Sequence, residues 1–169
     1  MTATNTANAI EARNITKSYG GFSLNHVSFE VPRGYITGLI GPNGAGKSSM
    51  IKMMMGMILP DDGSLSIHGQ TVTPAEGGFK QQIGYVSDEN IFYEYLTLAQ
   101  MKKIIAPFYE HWDEDLYTKY IELFELPQHK KLQQCSKGMK MKFAIAIALA
   151  HHPRLLIMDE PTAGLDPVF

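Results

Sequence analysis

Two short segments carry residue types suited to phosphate chemistry. The first, Gly41-Pro42-Asn43-Gly44-Ala45-Gly46-Lys47-Ser48-Ser49, fits the pattern G-x-x-x-x-G-K-[ST]. Glycines at 41, 44 and 46 let successive backbone N–H groups turn inward around a phosphate, and a helix starting near Lys47 would add its positive end. Lys47 can then reach the β- and γ-phosphates of a nucleotide, and the Ser48 hydroxyl is placed to ligate Mg²⁺. Ser49 offers a further phosphate hydrogen bond. The second segment, Leu155 to Glu160, ends an apolar run in the acids Asp159 and Glu160. Asp159 is suited to hold Mg²⁺ through water, and Glu160 to orient or deprotonate a water attacking the γ-phosphate. Alone, such a pair could be a solvated strand exit; the glycine loop upstream favours the chemical reading.

Elements around these segments follow from pattern. Ile10 to Ser18 and Leu24 to Val31 read as extended segments separated by the turn signal Tyr19-Gly20-Gly21, hence a hairpin. Tyr35 to Ile40 is nearly all apolar and predicts a strand buried on both faces of a parallel sheet, feeding the glycine loop and then a helix. Ser64 to His68 is extended again, and Ile83 to Val86 is a short buried strand. Leu96 to Tyr109 and Asp113 to Leu126 carry apolar residues at helical spacing, and Pro127 closes that all-helical insert. Gly138 to His151 predicts a further helix, and Arg154 to Met158 a strand that delivers Asp159 to the sheet edge where open α/β folds bind ligands. The methionines at 50, 53, 54, 55 and 57 read as adaptable core filler. His151 and His152 read as solvated residues near a helix end.

Composition bounds the rest. A chain of 169 residues is about one domain's length, and 44% hydrophobic with 19% charged residues fits a folded, soluble protein. Lys and Arg total 15 against 17 Asp and Glu, so no broad basic field draws in nucleic acid. The single cysteine, Cys135, excludes an internal disulfide and a multi-cysteine zinc site, which points to a reducing compartment. Residues 1–9 form a polar tail without the features of a signal peptide, and no apolar run approaches the length of about 20 that crosses a bilayer. A membrane role would need a partner.

In this order, the motifs resemble the nucleotide-binding domain of ATP-binding cassette (ABC) proteins. Cys135-Ser136-Lys137-Gly138-Met139 stands where that family has Leu-Ser-Gly-Gly-Gln, Ala163 to Asp166 is similar to its D-loop, and Tyr19 sits where an aromatic stacks on adenine. The resemblance implies an α/β P-loop fold over residues 10–169, with an N-terminal antiparallel part, a helical insert at about 90–137 and an incomplete C-terminal end. It further implies ATP held by Tyr19, Gly41 to Ser49 and Asp159, with Ser136 and Gly138 closing on the γ-phosphate from a second such subunit in a head-to-tail dimer. Lys47 and Glu160 would be catalytic, with Mg²⁺ near Ser48 and Asp159. Asp166 would be a subunit contact. The implied activity is ATP hydrolysis driving solute movement through a separate transmembrane permease, with the chain peripheral at the cytoplasmic face of the membrane.

The sequence departs from the family in places. Three signature positions differ, and Lys137 reads equally as added charge near the γ-phosphate or as a solvated helix start. Cys135 reads as small apolar filler. Asp88 replaces the Q-loop glutamine; it is still an oxygen donor for Mg²⁺. Phe92, Tyr93 and Tyr95 lie where the family contacts its membrane subunit, and an ordinary core role has equal weight. Tyr19 could likewise be a packed hairpin aromatic. None of the histidines at 26, 68, 111, 129, 151 or 152 takes the place of the family's switch histidine. The expectation is a truncated domain that folds poorly and turns over little ATP by itself. A soluble ABC ATPase without a membrane partner, or a nucleotide-binding fragment without hydrolysis, are the alternative readings; a small-molecule P-loop kinase would leave the segments around Ser136 and Asp166 without a purpose.

Overall fold

The computed structural model describes residues 8–73, 77–87 and 92–160. The chain divides into two compact units, one ending at Lys80 and the other beginning at Gln81.

The first unit is built on a four-stranded antiparallel sheet of order β2-β1-β3-β4, with β1 at Asn8–Tyr19, β2 at Phe22–Pro32, β3 at Asp62–Ile67 and β4 at Gln70–Thr71. The expected hairpin forms, with Tyr19 paired to Phe22 across its turn. Its first strand starts earlier than the sequence suggested: Asn8 pairs with Pro32 and Ala9 is buried, so the polar tail does not include them. Helix α1 (Lys47–Met54) buries Met50, Ile51, Met53 and Met54. Four of the five clustered methionines are thus core filler, and Met57 is exposed. Asp61 fastens the end of β1 to the start of β3, accepting from the Lys17 ammonium at 2.6 Å and the Ser18 N–H at 2.8 Å.

One expected strand is absent. Tyr35 to Ile40 runs without regular structure or a ladder partner among the described residues, and Ile36 and Ile40 are 103% and 94% exposed. An all-apolar run marks a strand buried on both faces only where strands flank it on both edges. Among the described residues none does, so the run is apolar without being buried.

The second unit joins a two-stranded parallel sheet to helices. Strands β5 (Ile83–Val86) and β6 (Leu155–Met158) pair in register from Ile83 with Leu155 to Val86 with Met158. The helical insert forms as expected, with α2 at Leu98–Ile105 and α3 at Glu114–Leu123. Thr97 opens α2 with a capping box to Gln100, and Asp113 caps α3 through the Leu116 N–H at 2.8 Å. Helix α4 (Lys137–Leu149) is apolar nearly all round because it is covered on two sides. Phe143, Ala146 and Ile147 join a cluster with Leu98, Met101, Tyr117 and Ile121 of the insert, and Met141, Ala144 and Ala148 pack with Val86 of β5. The approach to β5 is close enough that a Cβ on Gly84 would lie 2.6 Å from the Ala148 carbonyl oxygen.

The two histidines after α4 part company. His151 is buried at 2% exposure rather than solvated; its ring stacks on Tyr109 with centroids 3.9 Å apart, and Nε2 lies 3.1 Å from the Ile83 carbonyl oxygen. Burial lowers its pKa, opposed by that hydrogen bond. His152 is exposed and pairs with Asp113 at 2.8 Å.

Candidate functional site

The glycine loop has the backbone its sequence demands. Gly44 and Gly46 adopt φ of +81° and +93°, left-handed conformations that turn the chain into α1. Gly46 is the residue before the helix and also a contact point: a Cβ there would meet Leu24 Cδ2 at 2.6 Å and Phe22 Cζ at 2.8 Å. The loop is therefore seated on the hairpin, and its curvature and its packing both require glycine at 46.

Lys47 opens α1, and its ammonium donates to the Gly41 carbonyl oxygen at 2.7 Å and the Pro42 carbonyl oxygen at 3.1 Å. The loop is also closed by the Ala45 N–H on the Pro42 carbonyl oxygen at 3.2 Å. No acid occupies the first turn of α1, so the positive end of the helix and the lysine charge face no carboxylate there. Ser48 is exposed and Ser49 half-buried on that same first turn, with hydroxyls suited to oxygen chemistry.

Tyr19 stands beside this loop through Phe22. Its ring is stacked on Phe22 at 6.3 Å and 22°, and Phe22 is the residue that Gly46 accommodates. Tyr19 is half open to solvent, with Lys17 Nζ 6.0 Å from its centroid. Tyr19 is thus a packed hairpin aromatic that keeps exposed ring surface.

In the second unit, Asp159 follows β6, its N–H donating to the Val86 carbonyl oxygen at 2.9 Å. This extends the parallel ladder one step and aligns Asp159 with the exit of β5. Asp159 is half-buried; Glu160 is exposed with φ of +46°, a sharp left-handed turn out of the strand. Asp88, Ala163 and Asp166 lie outside the described residues.

Ser136 caps α4, its hydroxyl accepting from the Met139 N–H at 3.2 Å, which leaves its own O–H as a donor. Gly138 lies in the first turn behind it, and that turn contains no acid. Lys137 is exposed. Cys135 is buried, its thiol donating to the Lys131 carbonyl oxygen at 3.5 Å; burial pushes the thiol pKa up against the charges of Lys130 and Lys140. That is the small apolar filler the sequence suggests.

Among the described residues no group of three or more His, Cys, Asp or Glu could hold a metal by itself. In the first unit the Ser48 hydroxyl at a helix start, and in the second the Asp159 carboxylate at a strand end, are each hard oxygen donors of the kind Mg²⁺ takes. Of the three aromatics after β5, Phe92 is half-buried against the core, edge-on to Phe143 at 5.2 Å, whereas Tyr93 and Tyr95 are exposed with rings 6.0 Å apart. Sequence reasoning missed Glu94 between them, whose carboxylate reaches the Lys140 ammonium at 2.5 Å. A separation of 46 residues left no local signal for that pair.

A left-handed glycine loop that opens a helix and, in the second unit, an acid pair at the end of a parallel strand are marks of a P-loop nucleotide-binding fold. The sequence model of the ABC transporter family matches residues 24–163, and the chain belongs to that family. It is 35% identical over 165 residues to a probable multidrug ABC transporter ATP-binding protein, YbhF, of Escherichia coli (strain K12), covering 94% of this chain and 28% of that one. The bacitracin transport ATP-binding protein BcrA of Enterococcus faecalis is 35% identical over 162 residues, covering 94% of this chain and 53% of BcrA. Among solved structures, the ATP-binding subunit of an ABC transporter superposes with a TM-score of 0.83 at 34% identity, covering 95% of this chain and 69% of that one. The chain spans about half the length, or less, of these curated relatives. No helix among the described residues is long and apolar enough to cross a membrane.

Proposed function

We propose that this chain is the ATP-binding part of an ABC transporter subunit that hydrolyses ATP to move a solute through a separate membrane permease. The observation that carries the reading is the loop itself: two left-handed glycines, a lysine ammonium lying over the loop carbonyls, and a helix start free of acids. Tyr19 stacks on the adenine, the N–H groups of Gly41 to Ser49 surround the phosphates, and Lys47 leaves the Gly41 and Pro42 carbonyls to neutralise the β- and γ-phosphates. Ser48 and Asp159, with Asp88, hold Mg²⁺, which supplies charge neutralisation across the phosphates.

Glu160 takes the proton of the water attacking the γ-phosphorus; the bond from that phosphorus to the β–γ bridging oxygen breaks, giving inorganic phosphate and ADP, whose phosphates stay in the loop. Ser136 and the Gly138 N–H of a second subunit donate to the γ-phosphate, completing a site that one chain leaves open. The permease contact is the exposed pair Tyr93 and Tyr95, which places the chain at the cytoplasmic face of the membrane. The relatives named for multidrug and bacitracin transport favour this over an ABC ATPase without a membrane partner.

Mg-ATP turnover of the whole transporter subunit measured against its concentration tests the reading, with a fluorescent ATP analogue followed in parallel. Turnover should rise more steeply than linearly and vanish in Lys47→Ala and Glu160→Gln, with binding lost only in the first. Turnover that survives Lys47→Ala would overturn it.

A further inference from the structure

We propose that Glu94 is a positioning residue for the reaction: it clamps the helix start that carries Ser136 and ties it to the exposed Tyr93–Tyr95 surface. The inference rests on the reading that Ser136 engages the nucleotide. Its observation is the way Glu94 brackets that serine in the chain. The Glu94 carbonyl oxygen accepts from the Gln133 N–H at 2.9 Å, three residues before Ser136. The Glu94 carboxylate meets the Lys140 ammonium at 2.5 Å, four residues after it. Lys140 in turn donates its backbone N–H to the Ser136 carbonyl oxygen at 3.0 Å, so the side chain that Glu94 holds belongs to the residue closing the first turn of α4.

The segment bearing Glu94 is not loose. The Leu132 N–H donates to the Leu96 carbonyl oxygen at 2.9 Å, and Thr97 bridges Lys131. Backbone bonds therefore fix residues 94–97 against 131–133, and the ion pair carries the connection past Ser136 into α4. Tyr93 and Tyr95 flank Glu94 directly, with rings 6.0 Å apart and exposed. A partner that presses on these rings displaces Glu94, and through Lys140 it turns the first helical turn, where the Ser136 O–H and Gly138 N–H point. A physical link of this kind becomes coupling only if both ends move together, so the test must read the helix start and not merely stability.

The test uses the full subunit assembled with its membrane subunit, comparing Glu94→Gln, Lys140→Gln and the charge reversal Glu94→Lys with Lys140→Glu. Each single change should lower kcat about two- to fivefold, the scale of a partly exposed ion pair, with the Kd of the fluorescent ATP analogue unchanged and Tm within experimental scatter. The reversal should restore at least half of the lost kcat. A merely structural pair would move Tm with kcat, and a chemically idle pair would leave kcat alone; either result overturns the proposal, as does a reversal that restores nothing. Lys47→Ala in the same assay separates the two readings. If it keeps its turnover, the nucleotide reading fails; if it loses turnover while Glu94→Gln does not, only the clamp fails.

Discussion

Gly46 and Gly44 allow backbone strain to be separated from crowding in the glycine loop. Both hold left-handed φ, +93° and +81°, so alanine at either position meets the same conformational penalty of about 1–2 kcal/mol. Only at 46 does the added methyl collide, at 2.6 Å from Leu24 Cδ2 and 2.8 Å from Phe22 Cζ; at 44 nothing lies within 4 Å. Leu24 is buried and cannot simply swing aside, so overpacking adds about 1–3 kcal/mol at 46 alone. Gly44→Ala should therefore lower Tm by roughly 2–8 °C, and Gly46→Ala by roughly 4–20 °C, at about 2–4 °C per kcal/mol for a chain of this size. Thermal unfolding followed by circular dichroism reads both. Repeating Gly46→Ala in a Leu24→Ala background isolates the collision, because the second truncation opens the space; the double change should cost less than the sum of its parts. Equal losses at 44 and 46, or strict additivity with Leu24→Ala, would refute the view that the hairpin is the seat of the loop.

Two further predictions concern buried polar groups in the second unit. His151 is held neutral by burial, so the unfolded chain binds a proton that the folded chain refuses once the pH falls below the ordinary histidine value of 6.5. Stability is thus complete above that value and declines below it; His151→Phe, which keeps the stack on Tyr109, should be less stable at pH 7 yet flatter between about pH 6.5 and 5. Parallel pH profiles of Tm for the two chains would count against it. Tyr117 buries its hydroxyl without a hydrogen-bond partner among the described residues, so Tyr117→Phe should be neutral or stabilising by up to about 1 kcal/mol in urea denaturation. A loss above about 1 kcal/mol would mean the hydroxyl is satisfied.

The legible parts of this molecule are the local ones. Gly44, Gly46 and Lys47 announce their loop because its chemistry depends on consecutive residues, and Ser136 and Asp113 announce helix starts because a cap acts within three residues. Contacts that close over long separations left no such trace. His151 and His152 look alike in sequence, yet at the end of α4 one faces Tyr109 and Ile83 while the other faces Asp113 and solvent. Both lie beyond the last residue of α4, and His152 takes a left-handed φ of +56°, so the chain turns sharply there and one step exchanges a core role for a surface one. The α1 methionines and the two-sided burial of α4 were readable as apolar content, but which elements cover them is a property of the packing.

The segment Tyr35 to Ile40 follows from the same distinction and can be put to experiment. Its apolar side chains stand in solvent and its backbone has no ladder partner among the described residues, the combination that templates pairing with another chain. The 169-residue chain should therefore self-associate as its concentration rises, and Ile36→Lys with Ile40→Lys should suppress that association. Because neither side chain is buried, the same pair of changes should leave the unfolding free energy of the chain within about 0.5 kcal/mol. Light scattering reads the first effect and urea denaturation the second. If instead the double lysine variant unfolds, these isoleucines are packed in solution and the segment is a strand after all. If both chains remain monomeric, an exposed apolar run next to a phosphate loop is tolerated without a covering strand, and apolar periodicity in this part of the sequence carries less information about burial than the physics of parallel sheets implies.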